Sequence, residues 1–323
     1  MNPAFSVIFL TTLIGAGQGL FLALFTEQSY AVFHLLPRQG GGFYAAGSLI
    51  ALVLLAAGLA ASFFHLGHPE RAWRAASQWR TSWLSREVIA LPAFMGVVFC
   101  YAVAHWLDMN WVIATLPGGA VVDFTVLLGA VGTILAFVLF GCTGMIYACL
   151  RFLREWNSPL TVINFILLGG ASGFILAAFY ASVAAPELSS FFGAWAIILV
   201  LLGLAGRGAS LIRNRRLRPK STMQTAIGVK HPKIVQKTQG SMGGSFNTRE
   251  FFHGKDAAFL KLVRPGFLLA AFIAPLGLLG LSLSSPATLG LAFLFNYVGL
   301  IAERWYFFAE ANHPQNLYYQ TIG

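Results

Sequence analysis

Charged residues are scarce in this sequence. Asp, Glu, Lys and Arg make up 10% of the 323 residues, whereas a soluble domain has about 25%. Hydrophobic residues make up 57%, and the mean hydropathy is +0.72. This composition excludes an ordinary soluble domain and predicts an integral membrane protein.

Cysteine is also rare. The three cysteines, Cys100, Cys142 and Cys149, all fall within apolar runs, and no CxxC pair occurs. Cys142 and Cys149 would be about 10.5 Å apart along one helix, too far for a disulfide. Because iron–sulfur clusters need clustered cysteine thiolates, we expect this chain to ligate no such cluster and to hold no metal itself.

Long apolar runs are what the sequence has in abundance. A run of about 20 apolar residues crosses a hydrocarbon core of about 30 Å, and a β-barrel would show short alternating segments instead. The sequence therefore predicts an all-α, polytopic bundle of eight transmembrane helices, with residues 1–323 forming a single membrane domain. The predicted spans are Phe5–Phe25, Phe43–Phe64, Val88–His105, Val121–Tyr147, Leu160–Val183, Phe191–Leu211, Gly266–Leu283 and Ala287–Glu303.

Positive charge is distributed unevenly over the connections between these spans. The third, fifth and seventh connections have no Lys or Arg, and the first has only Arg38, whereas the second, fourth and sixth are basic. Because cytoplasmic loops carry the excess of Lys and Arg, the even connections and both termini are predicted to be cytoplasmic, in a bacterial inner membrane. The positive-inside bias accounts for the excess of Lys and Arg, so we expect no nucleic-acid partner.

The sixth connection, residues 213–264, is the one long basic loop. Its charge fits contact with lipid headgroups, and its interspersed apolar residues favour binding to a partner protein. These two interpretations stay open on the sequence alone. The apolar residues concerned are Ile234, Val235, Met242, Phe246, Phe251 and Phe252.

The second connection concentrates the polar chemistry of the chain. Residues 65–87 contain two His, two Glu, four Arg and three Trp between two apolar runs. His65 closes the second predicted span and Glu87 opens the third, so both should lie at one membrane edge. A quinone needs a hydrogen-bond partner and a group that relays protons, and His and a partly buried Glu suit these roles. The alternative is that both residues only stabilise helix ends.

The other arginines and tryptophans of this loop also have two interpretations. Arg71, Arg74, Arg80 and Arg86 can be cytoplasmic charge alone, and the tryptophans can be interfacial anchors. Three acids lie in or near spans: Glu27 and Asp123 near the outer face, and Glu303 beside Arg304 near the inner face. Neighbours in a helix do not face one another, so Glu303 and Arg304 each require another partner.

A haem would need facing histidines. His34 and His105 are the pair that could approach each other at the outer face, but a haem b is not expected.

One motif resembles a known family. The string His65-Leu66-Gly67-His68-Pro69-Glu70-Arg71-Ala72, followed by Ser85-Arg86-Glu87, resembles the membrane anchor subunit of dimethyl sulfoxide reductase-type complexes. The resemblance implies a quinone site at His65, Gly67, Arg71 and Glu87. It also implies two partners, a subunit with four iron–sulfur clusters and a molybdenum bis-pterin catalytic subunit, so those cofactors would lie in the partners.

Two features distinguish this chain from the outward-facing reductases of that family. The motif lies in a loop that the charge distribution predicts to be cytoplasmic, and the sixth connection contains Ser245-Phe246-Asn247-Thr248-Arg249-Glu250-Phe251-Phe252-His253-Gly254. That segment looks like the one in anchors of the cytoplasm-facing, quinone-linked sulfite dehydrogenase. Partner docking is therefore expected at Arg74, Arg80, Arg86, Arg249, Phe251 and Phe252.

The resemblance implies a subunit that performs no sulfur chemistry itself. It would anchor the complex and pass electrons from cytoplasmic sulfite oxidation to ubiquinone or menaquinone. One alternative is the anchor of a dimethyl sulfoxide, S-oxide, N-oxide or polysulfide reductase that oxidises menaquinol. A second is a small-molecule transporter, although the chain shows no clear inverted repeat.

Overall fold

The computed structural model describes residues 1–116, 119–218, 222–235 and 253–314. Within them, eight helices are long and apolar enough to cross a membrane, as predicted. We label these eight α1 to α8. They are α1 Phe5–Val32, α2 Gly41–Phe63, α3 Trp83–Trp106, α4 Phe124–Ala148, α5 Pro159–Ala184, α6 Ser189–Arg215, α7 Ala257–Leu281 and α8 Pro286–Glu310.

Helices α1 and α5 form the centre of the bundle and are the most buried of the eight. Glycines allow them to cross at close range: a Cβ on Gly19 would lie 2.2 Å from the carbonyl oxygen of Gly169, and one on Gly173 would lie 2.0 Å from the carbonyl carbon of Gly19. Without a hydrophobic driving force in lipid, such close backbone contact is the main source of helix–helix attraction. These glycines therefore serve packing.

Several helices are longer than the apolar runs. Helix α1 ends at Val32 rather than at Phe25, α7 begins at Ala257 rather than at Gly266, and α8 ends at Glu310 rather than at Glu303. Helix α3 begins at Trp83, so Glu87 lies inside the helix and not at its entrance. The side chain of Ser82 caps α3 by accepting a hydrogen bond from the Ser85 amide at 3.3 Å.

The outer connection between α3 and α4 contains a small antiparallel hairpin. Its strands are β1 Val112–Thr115 and β2 Val121–Asp123. Asp123 then caps α4, because its Oδ1 accepts a hydrogen bond from the Val126 amide at 3.0 Å. The fourth span was predicted to begin at Val121 and so to include β2, and that boundary was wrong.

Helix α7 contains a π turn at Leu269–Ile273. Asn296 of α8 donates a hydrogen bond from Nδ2 to the carbonyl oxygen of Ala271 at 2.7 Å, and a Cβ on Gly299 would lie 2.2 Å from the Ala271 amide nitrogen. The π turn therefore lies where α8 is in close contact with α7. The Asn296 amide binds a carbonyl oxygen that the widened turn leaves without its usual helical partner.

Candidate functional site

The second connection forms a 3-10 helix, Pro69–Gln78, on the surface of the bundle. We call residues 64–86 the belt loop. Its large apolar side chains are open to solvent: Phe64 is 88% exposed, Trp73 71% and Trp79 52%. Arg74 lies over the ring of Trp73 at 5.6 Å, and Arg80 lies over the ring of Trp79 at 5.4 Å. Exposed aromatic rings with stacked arginines are typical of a protein-binding surface.

Arg86 holds the belt loop in place. Its Nε donates to the carbonyl oxygen of Trp79 at 2.9 Å, and its Nη2 donates to that of Arg80 at 2.9 Å. Its guanidinium also lies over the Trp83 ring at 4.2 Å. These bonds satisfy carbonyls where the 3-10 helix ends, so Arg86 positions the loop, whereas Arg74 and Arg80 project from it.

His65 lies at the surface, just after the end of α2. Its imidazole forms no hydrogen bond or ring contact with any described residue. Partial shielding from water lowers the pKa of His65 below the usual 6.5. The ring is therefore neutral at pH 7, and it has one N–H donor and one nitrogen acceptor free for another molecule.

Gly67 and Arg71 are exposed next to His65 in the chain. A Cβ on Gly67 would meet nothing within 4 Å, so packing inside this chain does not require glycine there. Glu70 lies between two of its neighbours in the chain, with Oε1 at 3.1 Å from His68 Nδ1 and at 3.5 Å from Arg71 Nε. The Arg71 side chain is 58% exposed, so its guanidinium has donors left for another molecule.

Glu87 points in the opposite direction, into the bundle. Its side chain is buried, and Oε1 accepts a hydrogen bond from the Thr143 hydroxyl of α4. The carboxyl group borders an internal cavity of about 10 Å³ between α1, α3, α4 and α5. The described residues contain no contact between Glu87 and His65. The two predicted residues lie at the same end of the bundle, one facing outward and the other inward.

A second polar cluster lies at the outer end of the bundle. Tyr44 donates a hydrogen bond to Glu27 Oε2 at 2.6 Å, and its ring stacks on His105 at 4.4 Å. The Tyr101 ring meets His105 edge to face at 4.5 Å. Two tyrosines therefore occupy the positions beside the His105 ring. The described residues show no contact between His105 and His34, which lines a separate surface cavity.

The same cluster continues to the outer surface through hydrogen bonds. Tyr101 donates to Gln28 at 2.8 Å, Gln28 donates to Thr125 at 2.8 Å, and Thr125 donates to Asp123 at 2.6 Å. Asp123 also pairs with Arg38. Burial favours a higher pKa for Asp123, but the hydrogen bonds from Thr125, Val126 and Arg38 outweigh it and lower the pKa overall. The predicted outer acids are thus partners in one buried network.

Helices α6 and α8 share a buried ionic cluster that the sequence analysis missed. Arg207 Nε lies 2.7 Å from Glu303 Oε1, and these side chains are 3% and 1% exposed. Arg207 Nη2 lies 3.7 Å from Glu310 Oε2. Arg207 is the partner that Glu303 was expected to require. The sequence signal was an arginine within the sixth apolar run, because a charge there needs a partner.

Arg304 belongs to the same cluster. Its guanidinium stacks on the ring of Phe165 at 3.8 Å. Its Nε lies 3.5 Å from Glu303 Oε2, so the expectation that these neighbours do not meet was wrong. Side chains long enough to bend back along the helix can touch although their Cα positions point apart.

Three of the predicted docking residues, Arg249, Phe251 and Phe252, lie outside the described residues. Of the 213–264 loop, residues 213–215 belong to α6 and residues 257–264 belong to α7. Met223–Ile227 forms a short helix between them, with Thr222 and Thr225 in a capping box.

Comparison with known proteins gives two matches. Residues 1–236 match the family described as "DMSO reductase anchor subunit (DmsC)". The whole chain is 59% identical, over 325 aligned residues, to a protein from Allochromatium vinosum that is named as a subunit of sulfite dehydrogenase, and the alignment covers 100% of both chains.

Proposed function

The chain belongs to the DMSO reductase anchor subunit family, and from that premise we propose that it binds quinone and passes electrons from sulfite oxidation to the quinone pool. Membership makes it the membrane anchor of a DMSO reductase-type complex, which argues against the transporter alternative. The proposal assigns the sulfur chemistry to a molybdenum bis-pterin partner and the intermediate electron carriers to a partner with four iron–sulfur clusters. No step of sulfite oxidation occurs on this chain.

The observation that carries the quinone assignment is the arrangement around His65 and Glu87. A quinone oxygen needs a donor at the bundle surface, and the neutral imidazole of His65 offers one that no described residue uses. Exposed Arg71 offers a second donor. Glu87 lies inward with a cavity behind it, where a carboxyl group can exchange a proton without facing bulk water. Gly67 leaves open space for a ring beside the loop.

The choice of sulfite over S-oxide chemistry rests on the full-length relative and on orientation. A relative with 59% identity over both complete chains is named as a sulfite dehydrogenase subunit. The basic even-numbered connections support a cytoplasmic belt loop by the positive-inside rule. An anchor of an outward-facing reductase, which would oxidise menaquinol, would have this loop on the opposite side.

Replacing His65 by Ala tests the quinone assignment. We expect quinone binding to weaken about tenfold, because a net hydrogen bond contributes roughly 0.5–1.5 kcal/mol. Sulfite oxidation with an artificial soluble acceptor should stay unchanged, since that route bypasses the anchor. Both assays are run on the purified complex, with His68→Ala as the matched control from the same loop. Equal quinone KM values for His65→Ala and wild type would contradict the assignment.

Orientation is tested with a reporter enzyme that is active only in the periplasm. Fused after Glu310, at the end of α8, it should be inactive, because that end lies on the same side as the basic belt loop. Fused after Asn110, between α3 and α4, it should be active. Activity after Glu310 and none after Asn110 would contradict the cytoplasmic orientation and the sulfite assignment that depends on it.

The belt loop is the proposed docking face for the iron–sulfur subunit. Truncating Trp73 and Trp79 together to Ala should release the soluble subunits from membranes, because a buried interface tryptophan often contributes about 2 kcal/mol or more. Neither ring packs in the core, so the bundle should still insert. Trp106→Ala is the control, since Trp106 is 74% exposed at the other end of α3. Undiminished copurification of the double variant would place docking elsewhere.

A further inference from the structure

Glu87 opens onto the first of two neighbouring cavities. This cavity, of about 10 Å³, is lined by four polar side chains: Thr11 and Gln18 of α1, Glu87 of α3 and Thr143 of α4. A second cavity of about 10 Å³ is lined by the polar groups of Thr11, Thr12, Ser172 and Arg304. Thr11 and Phe165 border both cavities. Through Thr11, the cavity at Glu87 therefore adjoins the cavity at Arg304.

Each cavity is suited to a single water molecule. A water needs roughly 10–15 Å³ and between two and four polar partners. Both cavities meet the lower bound of volume, and each offers four polar residues. Apolar cavities of the same size would stay dry, so the polar lining is the decisive feature.

We call the row of polar side chains that border the two cavities the polar line. The ionic cluster of Arg304, Glu303, Arg207 and Glu310 extends this polar line to the surface. Arg304 lies 3.5 Å from Glu303, and Glu303 lies 2.7 Å from Arg207. Arg207 lies 3.7 Å from Glu310, which is 16% exposed and accepts a hydrogen bond from Asn214 at 3.2 Å. Because α3 begins, and α6 and α8 end, on the side of the belt loop, the line stays at one end of the bundle.

Among the described residues, three buried atoms along this line lack a hydrogen bond of good geometry, namely Glu303 Oε2, Arg207 Nη2 and Arg207 Nε, although the last lies 2.7 Å from Glu303 Oε1. Buried polar atoms are normally satisfied, and an unsatisfied one costs about 1–3 kcal/mol. A bound water would satisfy them. From Glu310 the line then passes Arg207, Glu303 and Arg304 to the cavity that Thr11 borders, and from there to the cavity at Glu87.

We propose that this polar line is the route by which protons travel between water at Glu310 and the quinone site at Glu87. The proposal rests on the proposed function, since it gives Glu87 a proton supply. Arg207 and Arg304 position the carboxyl groups. Thr11, between the two cavities, is the hydroxyl that carries the proton across α1.

Reduction of one quinone to quinol takes two electrons, which the iron–sulfur partner supplies, and two protons. In each proton step, Glu87 releases a proton towards the quinone site and regains one from the water beside Thr11. That water is restored through Glu303 and Glu310, and Glu310 takes its proton from bulk water. For quinol oxidation the same steps run in reverse.

The experiment uses isosteric changes in the whole complex. Thr11→Val removes the hydroxyl that borders both cavities, and Thr26→Val on the same helix is its control. Each of these hydroxyls donates to its own helix, to the carbonyl oxygen of Val7 at 3.0 Å and to that of Leu22 at 2.7 Å. Glu310→Gln removes the titrating group at the surface end, and Glu310→Asp keeps it. Quinone-coupled turnover is measured in H₂O and D₂O beside the artificial-acceptor assay.

We expect Thr11→Val and Glu310→Gln to slow quinone-coupled turnover about tenfold, with a larger solvent isotope effect and unchanged artificial-acceptor activity. Thr26→Val and Glu310→Asp should remain near the wild-type rate. If Glu310→Asp is as slow as Glu310→Gln, the defect is one of packing and the proposal fails. If Thr11→Val and Glu310→Gln turn over at the wild-type rate while Glu87→Gln is slow, the proton route is wrong and the proposed function still stands. A wild-type rate in Glu87→Gln as well would overturn the proposed function.

Discussion

Quinone-coupled turnover should fall by roughly 10²–10⁴-fold when Glu87 is replaced by Gln, because a positioned acid–base group contributes about that factor. Gln has nearly the same shape and keeps an oxygen that can accept the hydrogen bond from Thr143. The variant therefore removes the titrating group and little else. Quinone affinity should change much less than the rate, which distinguishes proton transfer from binding.

Two assays on one purified complex measure this effect. Sulfite oxidation with an artificial soluble acceptor should proceed at the wild-type rate, since those electrons do not pass through this chain. Glu187→Gln is the control, because Glu187 lies in the outer connection between α5 and α6 and accepts a hydrogen bond from Gln39 at 3.1 Å. A wild-type quinone rate in Glu87→Gln would reduce this residue to a packing role between α3 and α4.

Replacing Arg207 by Met should cost about 3–5 kcal/mol of stability, the usual penalty for removing one partner of a buried ion pair. Glu303 would lose the guanidinium at 2.7 Å and retain only Arg304 at 3.5 Å. Glu310 would lose its ionic partner at 3.7 Å. The penalty arises because the remaining carboxylate is desolvated without compensation.

Thermal unfolding of the chain in detergent provides the measurement, with Arg151→Met, on the exposed connection between α4 and α5, as control. The control should stay within about 0.5 kcal/mol of wild type. Combining Arg207→Met with Glu303→Leu should recover part of the loss, because a buried pair can often be replaced by apolar side chains at little cost. If Arg207→Met alone is as stable as wild type, water already solvates the Arg207–Glu303 pair and the expected penalty does not apply.

The eight spans could be predicted because crossing a bilayer depends on length and hydropathy, which are properties of each segment by itself. Their ends were less predictable. The first span was predicted to end at Phe25, before the polar residues Glu27 and Gln28, yet α1 continues to Val32. The helix can continue because Glu27 and Gln28 find buried partners in Tyr44 and Tyr101, which lie on other helices.

The candidate site was predictable to a similar degree. The motif at His65 and the position of Glu87 predicted that both residues lie at one end of the bundle, and the structure has them there. They did not indicate that His65 faces outward, that Glu87 faces inward towards Thr143, or that Arg86 is occupied by the carbonyls of Trp79 and Arg80. Those directions depend on the rotation of α3 against α1 and α4, and local residue types do not specify that rotation.

The amino-acid sequence by itself determined that this chain is a membrane bundle, where its spans lie and which family it resembles, because hydropathy and motifs act within short segments. Only the tertiary structure decided that Arg207 pairs with Glu303 and that Thr11 separates two polar cavities. In lipid most helix surfaces are equally apolar, so the choice of neighbours follows from close glycine contacts and from pairing of the few buried polar groups. Both require residues far apart in the chain to meet, and that meeting exists only in the folded bundle.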